Sequence, residues 1–263
     1  MEKLTNENYF SLEMNKKYLS STQIKDFLVC ENEALAKVNG VLVEEKTDAL
    51  LFGGYVDAYF SNELDTYLAT YGGDMLNSRT GELKAPFKNI GKVISTIEND
   101  KLLMEHLQGK HQVIMTGKIS GVLFKIKVDS LFEDKIVDQK IMKDFDLIWD
   151  EDKHKKVDFI EKFGYSIQGA IYQEIVRQNT GKKLPFIIAA TTKEEEPDKA
   201  LIQIDQEYLD QALELVKEIA PRIDALKNGL VEPTKCGKCN TCRAEKKLDR
   251  VLSYKEMFNK YDE

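Results

Sequence analysis

The stretch Lys127–Lys140, KVDSLFEDKIVDQK, constrains this chain more than any other. Apolar residues alternate up to Asp129, and a second run, Lys135-Ile136-Val137, leads into Asp138-Gln139-Lys140 nine residues further on. Short period-two runs read as strands. If the two are neighbours, two carboxylates and a lysine converge at one end of a small sheet. Such a group can hold a divalent metal against a phosphodiester and activate a water. Alternation puts Asp138 and Lys140 on one face, with Gln139 opposite and its carbonyl available as a further ligand. The competing reading is an exposed strand whose acids belong to its turns.

The flanking sequence supplies the rest of an α/β pattern. Ser20-Ser21-Thr22 predicts a cap for a helix through QIKDFLVCENEALAKVNG, with Ile24, Phe27, Leu28 and Leu35 on its apolar face and Gly40 as its stop. A second helix runs from Asp48 to about Leu64. The Gly-, Asn-, Ser- and Lys-rich segment 71–89 predicts a mobile loop, and residues 90–107 return to helical spacing. Val113–Ile119 and Leu123–Val128 form a hairpin about Ser120-Gly121, with Ile136–Ile141 as a third strand. A long helix over Asp158–Asn179 precedes strands Pro185–Thr192 and Ala200–Ile204. Asp205 caps a last helix carrying Leu209, Leu213, Val216, Ile219, Ile223 and Leu226 on one face, kinked at Pro221.

No repeat or interdomain linker is visible. The expected fold class is therefore α/β, one domain over residues 1–263 with a central mixed sheet flanked by helices. Within it, residues to about 110 form a helical part, about 111–205 the sheet with its following helix, and about 206–263 the last helix and a cysteine cluster.

Composition matters mainly for what it excludes. The 38 basic and 45 acidic residues give a formal charge of −7, so any nucleic-acid surface must be a local basic groove. No run is apolar enough to cross a membrane, and MEKLTNENYF lacks the form of a signal peptide, which predicts a cytoplasmic protein. No P-loop, nucleophile-elbow or dinucleotide glycine motif occurs. Lys153-His154-Lys155-Lys156, Lys182-Lys183, Lys84 and Lys88 suit either phosphate contacts or plain solvation, and the lone Trp149 either a base contact or a helix end.

Two further groups bear on chemistry. Gln168 and Tyr172 are i, i+4 neighbours on the predicted long helix, placed either to contact phosphates and the lysine or to edge the core. Cys236, Cys239 and Cys242, in C-x2-C-x2-C spacing, can face one metal centre. The fourth ligand must come from elsewhere, and Cys30 is the remaining cysteine. In a cytosolic chain, metal binding explains them better than disulfides.

Together these residues resemble the PD-(D/E)xK nuclease superfamily, and within it the RecB-like branch that includes phage and prophage exonuclease VIII. LSSTQIKDFLVCENEALAKVNG, ALLFGGYVDAYF, KIVDQKIMKDF, GYSIQGAIYQEIV and CGKCNTC follow that branch in order, over nearly the whole chain. The resemblance implies a restriction-endonuclease-like core. Asp129 and Asp138 would bind metal, Lys140 would polarise the attacking water, and Gln168 and Tyr172 would form the QxxxY motif. Gly53-Gly54-Tyr55-Val56-Asp57 takes the place of a G-x-x-x-H stretch, so Asp57 would ligate where histidine is common. Val128 replaces the motif's proline, and Asp138 stands where Glu is frequent.

The implied activity is Mg2+-dependent (or Mn2+-dependent) hydrolysis of linear duplex DNA from 5′ ends. It would leave 3′ single strands for a single-strand annealing recombinase, in a phage-type setting, with a homo-oligomer as in ring-forming relatives. The alternatives are a trimming subunit of a CRISPR-adaptation or helicase–nuclease assembly, and a non-catalytic metal-stapled DNA-binding module. For Cys30, Cys236, Cys239 and Cys242 the resemblance implies a 4Fe-4S cluster joining the termini, although the late spacing in relatives is usually wider; structural Zn2+ is the runner-up.

Overall fold

A computed structural model describes residues 4–43 and 45–258. The chain enters through α1 (Leu12–Lys17), α2 (Ser21–Val29), α3 (Glu31–Val38), α4 (Asp48–Phe60), α5 (Leu64–Met75), α6 (Ile90–Glu98) and α7 (Lys101–Leu107). Strands β1 (Lys110–Ile119), β2 (Val122–Leu131) and β3 (Ile136–Met142) follow, then a small hairpin of β4 (Ile148–Asp150) and β5 (Lys155–Val157). Next come α8 (Phe159–Lys162), α9 (Tyr165–Thr180), β6 (Phe186–Thr192), β7 (Lys199–Gln203), α10 (Gln206–Lys227), α11 (Asn240–Ala244) and α12 (Tyr254–Phe258).

The five-stranded sheet has order β1-β2-β3-β6-β7, parallel between β3 and β6 and antiparallel elsewhere. Strand alternation explains why it carries helices on both faces. Ile136, Phe186, Ile188 and Ala190 join one apolar core with α2, α3, α9 and α10, whereas Val137, Ile187 and Ala189 join another with α4, α6 and α7. The expected mixed sheet flanked by helices is what forms. No described helix is long and apolar enough to cross a membrane.

The β1–β2 hairpin turns through Ser120 (φ 48°) and Gly121 (φ 82°), the left-handed pair that a tight hairpin favours. Ser120 also repairs α10. Pro221 has no N–H for the carbonyl four residues earlier, and the Ser120 hydroxyl donates to that Lys217 oxygen at 2.9 Å, so α10 continues to Lys227. Asp205 is the α10 N-cap, but its side chain makes no capping bond.

Several expected elements divide. The helix expected after Ser20 breaks at Cys30, whose φ of −161° and ψ of 113° end α2 and start α3, and Leu28 on α2 is exposed. The long helix over 158–179 breaks at Gly164, left-handed at φ 61°. The segment 90–107 splits where the Asp100 carboxylate caps α7. Part of 71–89 is structured rather than open loop: α5 runs to Met75, Leu76 bridges Leu83, and a 3-10 turn buries Phe87.

Candidate active site

β2 and β3 pair only through Ser130–Val137 and Leu131–Ile136, then part. Residues beyond that point need other partners, and the site lies in this gap. Asp129 Oδ2 accepts the backbone N–H of Gln139 at 2.9 Å, which ties the parted strands together. On the α9 side of β3, Lys140 Nζ lies 2.5 Å from Asp138 Oδ2, and Gln168 Nε2 donates to Asp138 Oδ1 at 2.6 Å. Asp138 is 1% exposed, so two held oxygens are what make its burial tolerable. The Gln139 side chain takes the opposite face, where its buried Nε2 has no hydrogen-bond partner.

Asp57 comes from α4, in the other helical layer. Gln112 Nε2 reaches both of its oxygens at 3.1 Å. Gln112 sits in β1 at φ 52°, between the pairs His111–Ser130 and Val113–Val128. A left-handed residue other than glycine costs about 1–3 kcal/mol, and here that strain accompanies a contact to a candidate ligand. Because the strands part, side chains from both layers line a single cleft of about 810 Å³: Asp57, Asp129, Asp138, Lys140, Gln168 and Tyr172, with Lys125, Lys127, Tyr9 and Phe10.

The cleft is short of positive charge at its floor. Burial, then the neighbouring Asp138 and Asp57, hold the Asp129 carboxyl well above the usual carboxylate range. Burial also raises Asp57, against the pull of Lys127 and Lys140. At Lys140 burial opposes the ammonium, but Asp138 and Asp129 outweigh it and keep the group above the usual lysine range. Three clustered carboxylates, Asp138 buried and Asp57 and Asp129 half-buried, all offering hard oxygen donors, suit Mg2+ or Mn2+. Among the described residues, the ligating side chains that close to within 4.8 Å of one another are the four cysteines rather than these acids. The acids are instead engaged by Gln112, Gln139, Gln168 and Lys140.

Gln168 and Tyr172 sit beneath the acids. Gln168 orients Asp138 rather than Lys140, and the Tyr172 hydroxyl donates to the Lys127 carbonyl at 3.0 Å. Burial keeps that phenol far above its ordinary range, so it stays a donor. Both side chains are buried, an arrangement that positions strands and acids. Sequence reading missed Gln112, Lys25 and the cleft lysines Lys125 and Lys127. Lys25 packs over the Tyr165 ring and is lowered to about 8 by burial and by Lys140. No sequence signal marks Gln112, since its role comes from backbone conformation. The basic runs that were visible lie elsewhere. Lys153 and Lys155 pair with Glu161, Lys183 pairs with Asp210, and Lys84 binds the Gly73 and Asp74 carbonyls.

The cysteines form a second centre. Cys30 lies at the α2–α3 corner, and Cys236, Cys239 and Cys242 wrap around it. Sγ–Sγ distances are 3.5 Å for Cys30–Cys242, 3.7 Å for Cys30–Cys239 and 3.9 Å for Cys236–Cys242. Backbone N–H groups of Lys238 and Cys239 donate to Cys236 Sγ, and those bonds lower its thiol to about 6.

With this geometry in place, comparison with known proteins is informative. Residues 20–245 match the family described as a PDDEXK-like domain of unknown function, DUF3799. A crystal structure of a "Putative exonuclease" from Eubacterium rectale is 44% identical, covers 98% of this chain and 99% of its own, and superposes with a TM-score of 0.90. The structure of SSO0001 aligns at 13% identity over 75% of this chain and 86% of its own with a TM-score of 0.27, too low to bear on the fold. Comparison with curated proteins finds no match. Two acids and a lysine at a parted strand pair, and a family match over most of the chain, agree: this protein belongs to the PDDEXK-like DUF3799 family, within the PD-(D/E)xK nuclease superfamily.

Proposed function

We propose that this chain is a metal-dependent nuclease that removes nucleotides from the ends of linear duplex DNA. The observation that carries the reading is the convergence of Asp57, Asp129, Asp138 and Lys140 in one cleft where β2 and β3 part. The name of the Eubacterium rectale relative, "Putative exonuclease", points the same way.

In this reading Asp57, Asp129 and Asp138, with the Gln139 carbonyl, hold Mg2+ or Mn2+. When bound, the cation polarises the phosphoryl oxygen and makes a nearby water more acidic. Lys140, fixed against Asp138, orients that water and offsets charge developing on the phosphoryl oxygens. The water oxygen would bond to phosphorus while giving up a proton to solvent, the bond to the leaving oxygen would break, and the leaving oxygen would take up a proton from solvent. Gln168 keeps Asp138 facing the cleft, and Tyr172 keeps β2 at the required height. Lys127, half-buried on the cleft wall, supplies local positive charge that the acidic total made necessary.

The depth of Asp138 favours a single strand end over an uninterrupted duplex as the group that reaches the floor. That suits stepwise digestion from ends; the 5′ start, and 3′ strands left for a single-strand annealing recombinase, are what the family resemblance implies. Assembly around the duplex as a homo-oligomer belongs to the same reading. End-labelled linear, closed circular and single-stranded DNA should be incubated with Mg2+ or Mn2+. Mononucleotide release from linear duplex only, starting at 5′ ends, is expected. Cleavage of closed circles would refute the end requirement, and no cleavage with either metal would refute the nuclease reading.

A further inference from the structure

We infer that Cys30, Cys236, Cys239 and Cys242 hold one tetrahedral zinc ion, not the 4Fe-4S cluster that the family resemblance implies. A tetrahedron of thiolates with metal–sulfur bonds of about 2.3 Å has sulfur–sulfur edges of about 3.8 Å. The distances of 3.5, 3.7 and 3.9 Å scatter about that edge, and all four sulfurs lie within 4.8 Å of one another. In an iron–sulfur cube each thiolate binds a different corner iron and points away from the centre, which spreads the sulfurs much further apart. The tetrad encloses room for one ion.

The surroundings support the same choice. Four thiolates around Zn2+ leave two net negative charges, which need donors. The N–H groups of Lys238 and Cys239 face Cys236 Sγ at 3.4 and 3.3 Å, and that of Cys242 faces Cys239 Sγ at 3.4 Å. The Asn32 amide reaches Cys242 Sγ at 3.8 Å and also bonds Glu245, which in turn pairs with Lys235. The tail is therefore fastened by polar contacts as well as by the ion. Glu31 adds to this by accepting from Arg222 at 2.6 and 2.8 Å and from the Thr234 N–H at 2.7 Å. A closed four-thiolate shell has no open position, so the centre is structural. It clamps the tail to the α2–α3 corner, and α2 lines the DNA cleft through Gln23 and Phe27.

This inference is independent of the nuclease reading, and its test does not use activity. The full chain is expressed in iron-replete cells, purified without oxygen, and assayed for zinc, iron and inorganic sulfide. One zinc per chain and a colourless solution are expected. Stripped protein offered Zn2+ against Fe2+ with sulfide should take zinc, and Co2+ loading should give the intense ligand-field bands of tetrahedral thiolate coordination. Cys236→Ser, at the most exposed ligand, should lose most of the zinc and expose the tail to protease, while Lys238→Ala retains it. Brown protein with iron and sulfide, a single iron in place of zinc, or thiols that hold no metal would each overturn the assignment.

Discussion

Asp129 shows how one residue can be costly to the fold and necessary to the site. It is half-buried beside Asp138 and Asp57, and its carboxylate accepts the Gln139 N–H. Asparagine can still accept that bond but carries no charge. Asp129→Asn should therefore raise the stability of the metal-free protein by about 0.5–2 kcal/mol while abolishing hydrolysis, a trade typical of strained active sites. Thermal melts in chelator, paired with a nuclease assay, check this; an unchanged or lower melting temperature would show that the acid cluster is not under electrostatic strain. The paired acids and Lys140 were legible because strand alternation is local, and β3 does put Asp138 and Lys140 together. Gln112 was not, because its left-handed backbone depends on β1 being placed beside β2.

Among the elements, α9 is the one whose seating reaches the chemistry. Gly169 lets it approach the sheet: an added Cβ would stand 2.7 Å from Phe186 Cδ1 and 2.8 Å from Leu209 Cδ2. Gly169→Ala overpacks the contact with β6 and α10 and should cost about 1–3 kcal/mol. Because Gln168 is next in the chain, the shift should also loosen its bond to Asp138 and lower kcat more than DNA affinity. Denaturant melts and single-turnover kinetics measure both; full stability and rate would mean that α9 has slack. Strands and their order along the chain were readable from period-two runs and the Ser120-Gly121 turn. The breaks at Cys30 and Gly164 were not, since apolar spacing continues through both. One break serves the thiolate centre and the other the angle between α8 and α9, and both are set by tertiary contacts. In the segment 71–89 the loop expectation holds over much of 77–89, but polar composition hides Met75 and Phe87, both buried in the core.

At the scale of the whole molecule, the N-terminal region is fastened to β2 and α10 by two lysines, Lys125 buried and Lys227 half-buried. Lys125 donates to the Tyr9 carbonyl and Asn15, and Lys227 to the Asn15 and Tyr18 carbonyls and Gln23. Burial lowers Lys125 to about 8 and Lys227 to about 7, from 10.5. Between those values and 10.5 the unfolded chain binds protons that the folded chain does not, so this contribution makes stability rise with pH. Below about pH 7 both states hold them and the slope vanishes. Above about pH 10 the buried Tyr172 reverses the sign, because its phenol ionises more readily in the unfolded chain. Urea melts at pH 7, 8.5 and 9.5 should show rising midpoints, a trend that Lys125→Met and Lys227→Met together should flatten. Falling midpoints in the unaltered protein would contradict it.

The central claim is that the cleft between the parted strands breaks DNA. Asp138→Asn tests it most directly, since it preserves shape but removes the charge that Lys140 and the cation share. DNA binding and Mg2+-dependent cleavage should be measured on the same end-labelled linear duplex. The account predicts that the variant binds within a few-fold of the unaltered chain yet cleaves at least about 100-fold more slowly. Cleavage at the unaltered rate would place the chemistry elsewhere.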